Sequence, residues 1–354
     1  MFGLKVKMGE LEFKRNKLFM TFDIKKSFGK SYEYAYYIYQ DDQITERIWY
    51  QEAQANMRFS VMPIYSGSYQ IRLFIKENGE IIFNELSNLL WIDAIHKKQI
   101  ETTFPKEKVF FSDNPVKYVF QKAKKESRYL ILSFSGLYST EFRGGPPVYN
   151  HMRTLTPVET HKLFILDSYL DQFCYYVGFG GEEDFERSVI ALITMIANEY
   201  QIPPENIIAT GSSKGGAAAL YYSFKYHFGK AVIGAPQVYI AKYLDQRANS
   251  DSMRQRYNRL LGNDLQFGKL FWDGLILNQI ARQTVFPELH FHVGEGDFHY
   301  SQHLKPLFKL FNEKKINYTL DLGKYEKHSD TGLYFTSFLL EKVQEIVMRK
   351  EERS

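Results

Sequence analysis

A glycine-rich segment at residues 211–216 has the residue types and the spacing of a nucleophile site. It reads Gly-Ser-Ser-Lys-Gly-Gly and places Ser213 at the centre of a Gly-x-Ser-x-Gly pattern, between a strand pattern and a helical pattern. In a sharp strand–turn–helix junction, glycines leave room for a strained backbone, and the helix N-terminus favours negative charge beside the serine. We therefore predict Ser213 to be a nucleophile. A phosphate-binding glycine turn is the alternative, although the spacing of a P-loop is missing.

A serine nucleophile needs a base and a carboxylate that orients the base. The predicted strand at residues 289–293 ends in Gly-Glu-Gly-Asp, so Asp297 is the predicted acid and Glu295 its rival. His328 lies in a loop between the last predicted strand and the last predicted helix, and it is the predicted base. The order serine, acid, histidine along the chain is the one that accompanies this strand–turn–helix motif.

The same chemistry needs two backbone N–H groups for the negatively charged oxygen of the intermediate. We predict the N–H of Lys214 to be one donor. The second donor should come from the loop after the strand pattern at residues 130–134, where Ser135, Gly136 and Leu137 are the candidates. The Gly-Gly-Pro-Pro segment at residues 144–147 is instead a candidate for a flexible substrate loop.

Other residues with reactive side chains point to no further chemistry. His290 and His292 alternate on one strand, and His299 and His303 are one helical turn apart, and both spacings suit a metal ion. Because no cysteine or dense acidic cluster accompanies either pair, we predict no metal site. Cys174 has no catalytic context and is expected in the core.

The elements that must position these residues change character along the chain. Residues 1–90 alternate apolar and polar side chains between turn signals, among them Asn78–Gly79, which predicts an antiparallel, immunoglobulin-like β-sandwich. Residues 91–127 have the character of a lysine-rich connector. Residues 128–354 alternate buried strand patterns with helical patterns, which predicts a mainly parallel sheet with helices on both faces.

Composition narrows the functional classes. The 354 residues suggest about two domains. A net charge of +4, spread along the chain, gives no sign of a nucleic-acid-binding surface. The single cysteine excludes an internal disulfide. Residues 1–10 lack the apolar region of a signal peptide, and no apolar run is long enough to cross a bilayer, so we predict a cytoplasmic protein.

Three segments together resemble a known group of bacterial enzymes. They are residues 207–216, residues 233–237 with the sequence Ile-Gly-Ala-Pro-Gln, and residues 241–243 with the pattern Ala-x-Tyr. The combination resembles the serine α/β-hydrolase-type O-acetyltransferases of capsular polysaccharides and the XcbB/CpsF-like capsule biosynthesis family, and more distantly the acetyltransferase component of the accessory Sec system. The sequence departs from that pattern before His328, where Tyr-Glu-Lys stands in place of glycines, and in its β-rich N-terminal region.

The resemblance implies an α/β-hydrolase-like fold with Ser213 as nucleophile, Asp297 as acid and His328 as base. It also places Gln237 in substrate binding. It implies acetyl-CoA as the acyl donor and a glycan or glycan-precursor hydroxyl as the acceptor. On this basis we expect the Lys214 side chain to point to the rim of the cleft and meet CoA phosphates or an anionic glycan; a solvated lysine is the alternative. Peripheral association with a membrane-bound glycan assembly complex, through a partner, stays open.

Two other functions fit the same sequence. An esterase would form the same acyl-enzyme and pass the acyl group to water instead of a sugar hydroxyl. A non-catalytic glycan-binding scaffold in an export or biosynthesis complex would depend on the aromatic-rich N-terminal region. The order of Ser213, Asp297 and His328 favours an enzyme, and we expect an acyltransferase.

Overall fold

The computed structural model describes residues 6–14, 17–61, 63, 67–92, 104–142, 144–170 and 172–349. The chain divides into two compact units, Met1–Glu101 and Thr102–Ser354. The regular elements described in the first unit are all strands, and the second unit alternates strands with helices, which confirms the predicted fold class. No helix of the described residues is both long and apolar enough to cross a membrane.

The N-terminal unit forms two antiparallel sheets. Its strands are β1 (Val6–Met8), β2 (Glu12–Lys14), β3 (Lys17–Ile24), β4 (Tyr32–Gln40), β5 (Gln43–Glu52), β6 (Asn56–Val61), β7 (Gly67–Glu77), β8 (Glu80–Leu86) and β9 (Leu90–Ile92). One sheet has the order β1-β3-β2, with β6 also paired to β3. The other has the order β5-β4-β7-β8, with β9 also paired to β7.

Alternate residues of the two sheets meet in one core. Leu18 and Met20 of β3 and Ile71 and Leu73 of β7 are buried in the same apolar cluster. Because successive side chains of a strand point to opposite faces, the period of two in the sequence buries one face of each sheet. The turn at Asn78–Gly79, with φ values of 49° and 86°, closes the hairpin between β7 and β8 as predicted.

One eight-stranded sheet organises the C-terminal unit. Its strands are β10 (Lys108–Phe111), β11 (Pro115–Gln121), β12 (Leu130–Phe134), β13 (His161–Ile165), β14 (Ile207–Ser212), β15 (Lys230–Gly234), β16 (Glu288–Gly294) and β17 (Thr319–Gly323). The order is β10-β11-β13-β12-β14-β15-β16-β17. The pairs β10–β11 and β11–β13 are antiparallel, and all other neighbours are parallel.

The edge of this sheet differs from the predicted domain boundaries. Within the expected connector 91–127, β10 and β11 form the antiparallel edge of the large sheet, while β9 at its start pairs with β7 of the sandwich. Val116 and Val119 of β11 are buried. The lysine-rich run at residues 122–125, which suggested a connector, directly follows this strand. The units therefore divide after Glu101, and no separate connector lies between residues 104 and 127.

Helices cover both faces of the sheet, as predicted. They are α1 (Ser139–Phe142), α2 (Asp184–Glu199), α3 (Lys214–Lys225), α4 (Ile240–Asp245), α5 (Asp251–Leu261), α6 (Leu265–Arg282), α7 (Lys305–Lys314) and α8 (Thr331–Met348). Helices α2, α3 and α7 share a core with Ile207 and Ala209 of β14, and α8 packs in a second core with Ile208 of the same strand. Neighbouring residues of one strand therefore point to opposite faces of the sheet and pack in different cores.

Helices α4, α5 and α6 lie between β15 and β16, where the sequence analysis assigned no element. In α6, Trp272, Ile276 and Ile280 are buried, but Phe267 and Leu270 are exposed. Apolar residues on all sides of this helix hide the one-sided pattern by which an amphipathic helix is recognised.

Candidate active site

The turn between β14 and α3 holds Ser213 in a strained backbone conformation. Its φ is 56° and its ψ is −117°, a region that non-glycine residues seldom adopt. The glycines on either side are sterically required. A Cβ atom at Gly211 would lie 2.4 Å from the carbonyl carbon of Gly215, and one at Gly215 would lie 2.3 Å from the carbonyl oxygen of Phe134. The strain therefore depends on close packing between the turn and β12.

The structure brings Ser213, His328 and Asp297 into one hydrogen-bonded chain. The Ser213 Oγ lies 3.0 Å from Nε2 of His328, and Nδ1 of His328 lies 2.9 Å from Oδ2 of Asp297. Asp297 follows β16, and His328 begins a single helical turn just before α8. In the tautomer with the proton on Nδ1, His328 donates to Asp297, and its free Nε2 accepts the serine proton. This is the geometry that activates a serine hydroxyl.

Asp297 is held as a carboxylate by several donors. His299 donates to Oδ1 from its backbone N–H and from Nδ1, at 2.9 and 3.0 Å, and Thr331 donates its hydroxyl to Oδ2 at 3.3 Å. Burial alone would raise the pKa of Asp297, but hydrogen bonds from His299 and His328 outweigh burial and hold that pKa well below its usual range. An ionised Asp297 fixes the orientation of His328.

His299 packs against His328 in this hydrogen-bonded chain. Its ring is fully buried and stacks on the ring of His328, with 3.6 Å between the ring centroids. Burial lowers the pKa of His299 to about 4, so the ring is neutral near pH 7. From the sequence alone, His299 is only one half of a metal-binding pair, because its contact with Asp297 depends on the turn between them.

Gln237 contacts Ser213 directly. Its Nε2 donates a hydrogen bond of 2.7 Å to the Ser213 Oγ, and its Oε1 accepts one of 2.5 Å from the hydroxyl of Tyr175. Gln237 is fully buried, so the amide has little freedom to turn away. The resemblance pointed to Gln237, but the part played by Tyr175 could not be found from the sequence.

The backbone N–H groups near Ser213 differ in whether they already have a hydrogen-bond acceptor, and this difference distinguishes the candidates for the oxyanion hole. The N–H of Lys214, at the start of α3, and the N–H of Leu137 have no acceptor among the described residues. The N–H of Gly136, by contrast, donates to Oδ1 of Asn150 at 2.8 Å, and that of Ser135 donates to the hydroxyl of Tyr176. In this structure the N–H of Gly136 is therefore engaged by a side chain, and Leu137 is the predicted candidate of this loop whose N–H is open among the described residues.

The Lys214 side chain also differs from the expectation. It is fully buried, and its Nζ lies 2.8 Å from Oδ2 of Asp167 and 3.0 Å from Oε1 of Glu141. Burial would lower the pKa of Lys214, but the two carboxylates more than compensate and raise it. The side chain does not reach the rim of the cleft, so it cannot meet the phosphates of CoA there. The sequence could not show this, because both carboxylates come from distant loops.

Asp167 connects this ion pair to the rest of the core. It accepts backbone hydrogen bonds from Cys174 at 3.0 Å and from Tyr175 at 2.9 Å. Glu141 lies in α1, four residues after Leu137, which supplies the second open N–H. Lys214 thus ties the nucleophile turn both to the Leu137 loop and to the chain that carries Tyr175.

The remaining candidates lie away from this chain of hydrogen bonds. His290 contacts Glu288 and Thr319, and His292 contacts Asp321. Cys174 is buried in the core, as expected. Asp297, His299 and His328 are close enough together to hold a metal ion, but the Nδ1 atoms of both histidines are already engaged by Asp297.

Comparisons with known proteins complete this picture. No family model and no curated protein matches the chain. The capsule O-acetyltransferase of Neisseria meningitidis serogroup A is 20% identical, with a TM-score of 0.53 over 66% of this chain and 96% of that one. A chain of the Glycosylation Associate Protein (Gap123) complex from Streptococcus agalactiae is 15% identical, with a TM-score of 0.59 over 99% of this chain and 73% of that one.

A third structure extends the likeness to hydrolases. The fluorophosphonate-binding serine hydrolase F of Staphylococcus aureus is 14% identical, with a TM-score of 0.51 over 69% of this chain and 98% of that one. The predicted likeness to capsule O-acetyltransferases thus holds at the level of the fold, and the C-terminal unit has the α/β-hydrolase fold that these proteins share.

Proposed function

We propose that this protein is a serine acyltransferase that O-acetylates a hydroxyl of a bacterial surface or capsular glycan. The observation that carries the proposal is the hydrogen-bonded chain from Ser213 through His328 to Asp297, on a strained turn at the start of α3. A strained serine with a base and an orienting carboxylate is the arrangement that nucleophilic acyl transfer requires.

In the first half-reaction, Nε2 of His328 removes the hydroxyl proton while the Ser213 Oγ attacks the acetyl carbonyl of the donor. The oxyanion forms near the N–H groups of Lys214 and Leu137, which have no other acceptor among the described residues. The carbon–sulfur bond then breaks, and His328 returns its proton to the leaving thiolate. The products are acetylated Ser213 and free CoA.

In the second half-reaction, a sugar hydroxyl takes the place of the thiol. His328 removes the hydroxyl proton, the sugar oxygen attacks the serine ester, and the same N–H groups stabilise the second oxyanion. When the ester breaks, His328 returns the proton to the Ser213 Oγ. Asp297 keeps His328 in the tautomer that both steps need, and Gln237 holds the resting Oγ in place.

The choice of donor and acceptor rests on the likeness of fold and on the sequence resemblance. One neighbour is a capsule O-acetyltransferase, a variant of which has been solved with CoA. Another is a chain of a glycosylation-associated complex, and it matches both units of this chain. We therefore propose acetyl-CoA as donor, a glycan or glycan precursor as acceptor, and a cytoplasmic reaction at the periphery of a membrane-bound glycan assembly complex.

An esterase with the same acyl-enzyme is the second candidate, favoured by the likeness to a fluorophosphonate-binding serine hydrolase. Two measurements test both functions. Labelling by a fluorophosphonate probe should require Ser213, and its persistence in Ser213→Ala would exclude nucleophilic catalysis at this serine. Acetyl-CoA consumption should increase when a glycan acceptor is added. Equal consumption with and without acceptor, at every acceptor tried, would favour the esterase.

A further inference from the structure

A cavity of about 310 Å³ opens at the carboxyl edge of the large sheet, beside β12 and β13. The chain segments that follow these two strands form most of its wall, including Glu141, residues 144–147 and residues 166–168. In sheets of parallel strands, ligands bind outside the carboxyl ends of the strands. The Gly-Gly-Pro-Pro segment that the sequence suggested as a substrate loop is thus part of a cavity wall.

The cavity is closely connected to the nucleophile turn. Glu141 and Asp167 line it, and both hold the Nζ of Lys214, which follows Ser213 in the chain. Leu137, which offers the second open N–H, begins the loop that leads to Glu141. One lysine side chain therefore separates the cavity wall from the backbone that binds the acyl group.

The wall has the chemistry of a sugar site. Pro146 and Pro147 provide accessible apolar surface for the ring carbons of a sugar, and the nearly buried Phe173 lies in the same wall. Glu141 is only 3% exposed, and its Oε2 has no hydrogen-bond partner among the described residues. A buried acceptor without a partner costs stability, and a ligand hydroxyl that donates to it removes that cost.

The charges of the wall favour a neutral ligand. Two carboxylates, Glu141 and Asp167, line the cavity together with Lys117. Both carboxylates are paired with Lys214, so together with Lys117 the charges of the described wall balance, and no surplus of positive charge attracts the diphosphate of a CoA molecule. A sugar hydroxyl, by contrast, can donate a hydrogen bond to Glu141. The cavity volume also suits one or two sugar rings better than a long polymer segment.

We propose that this cavity is the acceptor subsite, and that it binds a neutral sugar unit with one hydroxyl donating to Glu141. The assignment rests on the proposed acyltransferase function, because it names where the acceptor of that reaction is held. It also assigns a task to the Gly144–Pro147 loop, which shapes the apolar side of the subsite.

A substitution that fills the cavity tests the proposal. Ser168 lines the cavity and makes none of the contacts of Ser213 or Lys214, so Ser168→Phe should obstruct the cavity. Ser337→Phe is the matched control, because Ser337 lines a separate cavity of about 480 Å³ beside β17 and α8. We expect Ser168→Phe to raise the KM for a neutral oligosaccharide acceptor about tenfold or more, a loss of about 1.4 kcal/mol. The KM for acetyl-CoA and the hydrolysis of an aryl acetate should stay unchanged.

Several results would overturn the assignment. A rise in the KM for acetyl-CoA alone would make the cavity a donor site, and no change in either KM would show that neither substrate uses it. Ser168→Leu fills less space and provides a second variant if Ser168→Phe does not fold, which a thermal melt detects. Equal effects of Ser168→Phe and Ser337→Phe would indicate a general disturbance and would also contradict the proposal.

A binding measurement separates this inference from the proposed function. Saturation-transfer NMR with chitobiose, a neutral disaccharide, should detect binding to Ser213→Ala and a loss of binding in the double variant Ser213→Ala/Ser168→Phe. If wild type transfers no acetyl group to any glycan but this pattern is seen, the proposed function fails and the sugar site stands. If transfer occurs but chitobiose binds both variants equally, or neither, the subsite assignment fails.

Discussion

Two clusters on either side of the nucleophile turn both pair a basic side chain with an aspartate, but they suit different tasks. On one side, Ser213, His328 and Asp297 form a chain in which His328 remains partly exposed and protons can move. On the other side, Lys214 is fully buried between Asp167 and Glu141, where its charge is fixed. Under the proposed function, Ser213 takes part in the chemistry, whereas the adjacent Lys214 positions the turn.

Substitutions in the first cluster should reduce activity far more than they reduce the free energy of unfolding. Ser213→Ala removes one hydroxyl from a small, largely buried side chain, and we expect activity to fall about a million-fold, as in other serine enzymes. The thermal midpoint should stay close to that of wild type. Residual turnover above a thousandth of wild type, measured with an aryl acetate, would show that Ser213 is not the nucleophile.

The acid of the first cluster should show the next largest effect. Asp297→Asn keeps the shape but leaves His328 in the wrong tautomer, and we expect kcat to fall about ten-thousand-fold. Glu295→Gln is the matched control, since the Glu295 side chain is exposed, and it should lose little activity. If Glu295→Gln proves the severe change and Asp297→Asn is tolerated, the acid has been assigned to the wrong residue.

Substitutions in the second cluster should mainly reduce the free energy of unfolding. Lys214→Met leaves two buried carboxylates without their cation, and we expect a loss of about 3–5 kcal/mol in the free energy of unfolding. Lys342→Met removes a partly exposed lysine that pairs with Glu345 and should cost no more than about 1 kcal/mol. Urea unfolding compares the two variants. Equal losses would contradict a special role for the buried ion pairs.

Gln237 joins the two clusters and should have a smaller effect. Gln237→Ala removes the hydrogen bond that orients the Ser213 Oγ, and we expect kcat to fall about tenfold, with the KM for acetyl-CoA unchanged. Tyr175→Phe removes only the donor that orients Gln237, so its loss should be smaller. A larger effect of Tyr175→Phe than of Gln237→Ala would show that Tyr175 acts by another route.

The smallest expected effect is a pH dependence of stability from His299. Burial lowers the pKa of His299 to about 4 in the folded chain, against 6.5 for an exposed histidine. Between these values the unfolded chain binds more protons, so stability falls as the pH drops from 6.5 towards 4. His299→Gln should reduce this slope by up to one proton in urea unfolding series. An unchanged slope would mean that His299 is already protonated in the folded protein.

Much of the fold was predictable from the sequence. The period of two in the first 90 residues and the Asn78–Gly79 turn predicted the sandwich, and alternating strand and helix patterns predicted the covered parallel sheet. Both signals are local, because burial of one face fixes side-chain spacing within a single element. Strand β11, which lies next to the edge strand β10, and the apolar helix α6 escaped prediction because each buries apolar residues on more than one side.

Some features of the candidate site were likewise predictable from the sequence, and others were not. The sequence by itself determined the nucleophile turn, since Gly211 and Gly215 are required by its steric limits, and it ordered Ser213, Asp297 and His328 along the chain. Only the tertiary structure decided that Lys214 points inward, that Asn150 occupies the N–H of Gly136, and that His299 stacks on His328. Each of these contacts joins side chains from separate segments of the chain. The local sequence pattern of one segment does not show which other segment packs against it.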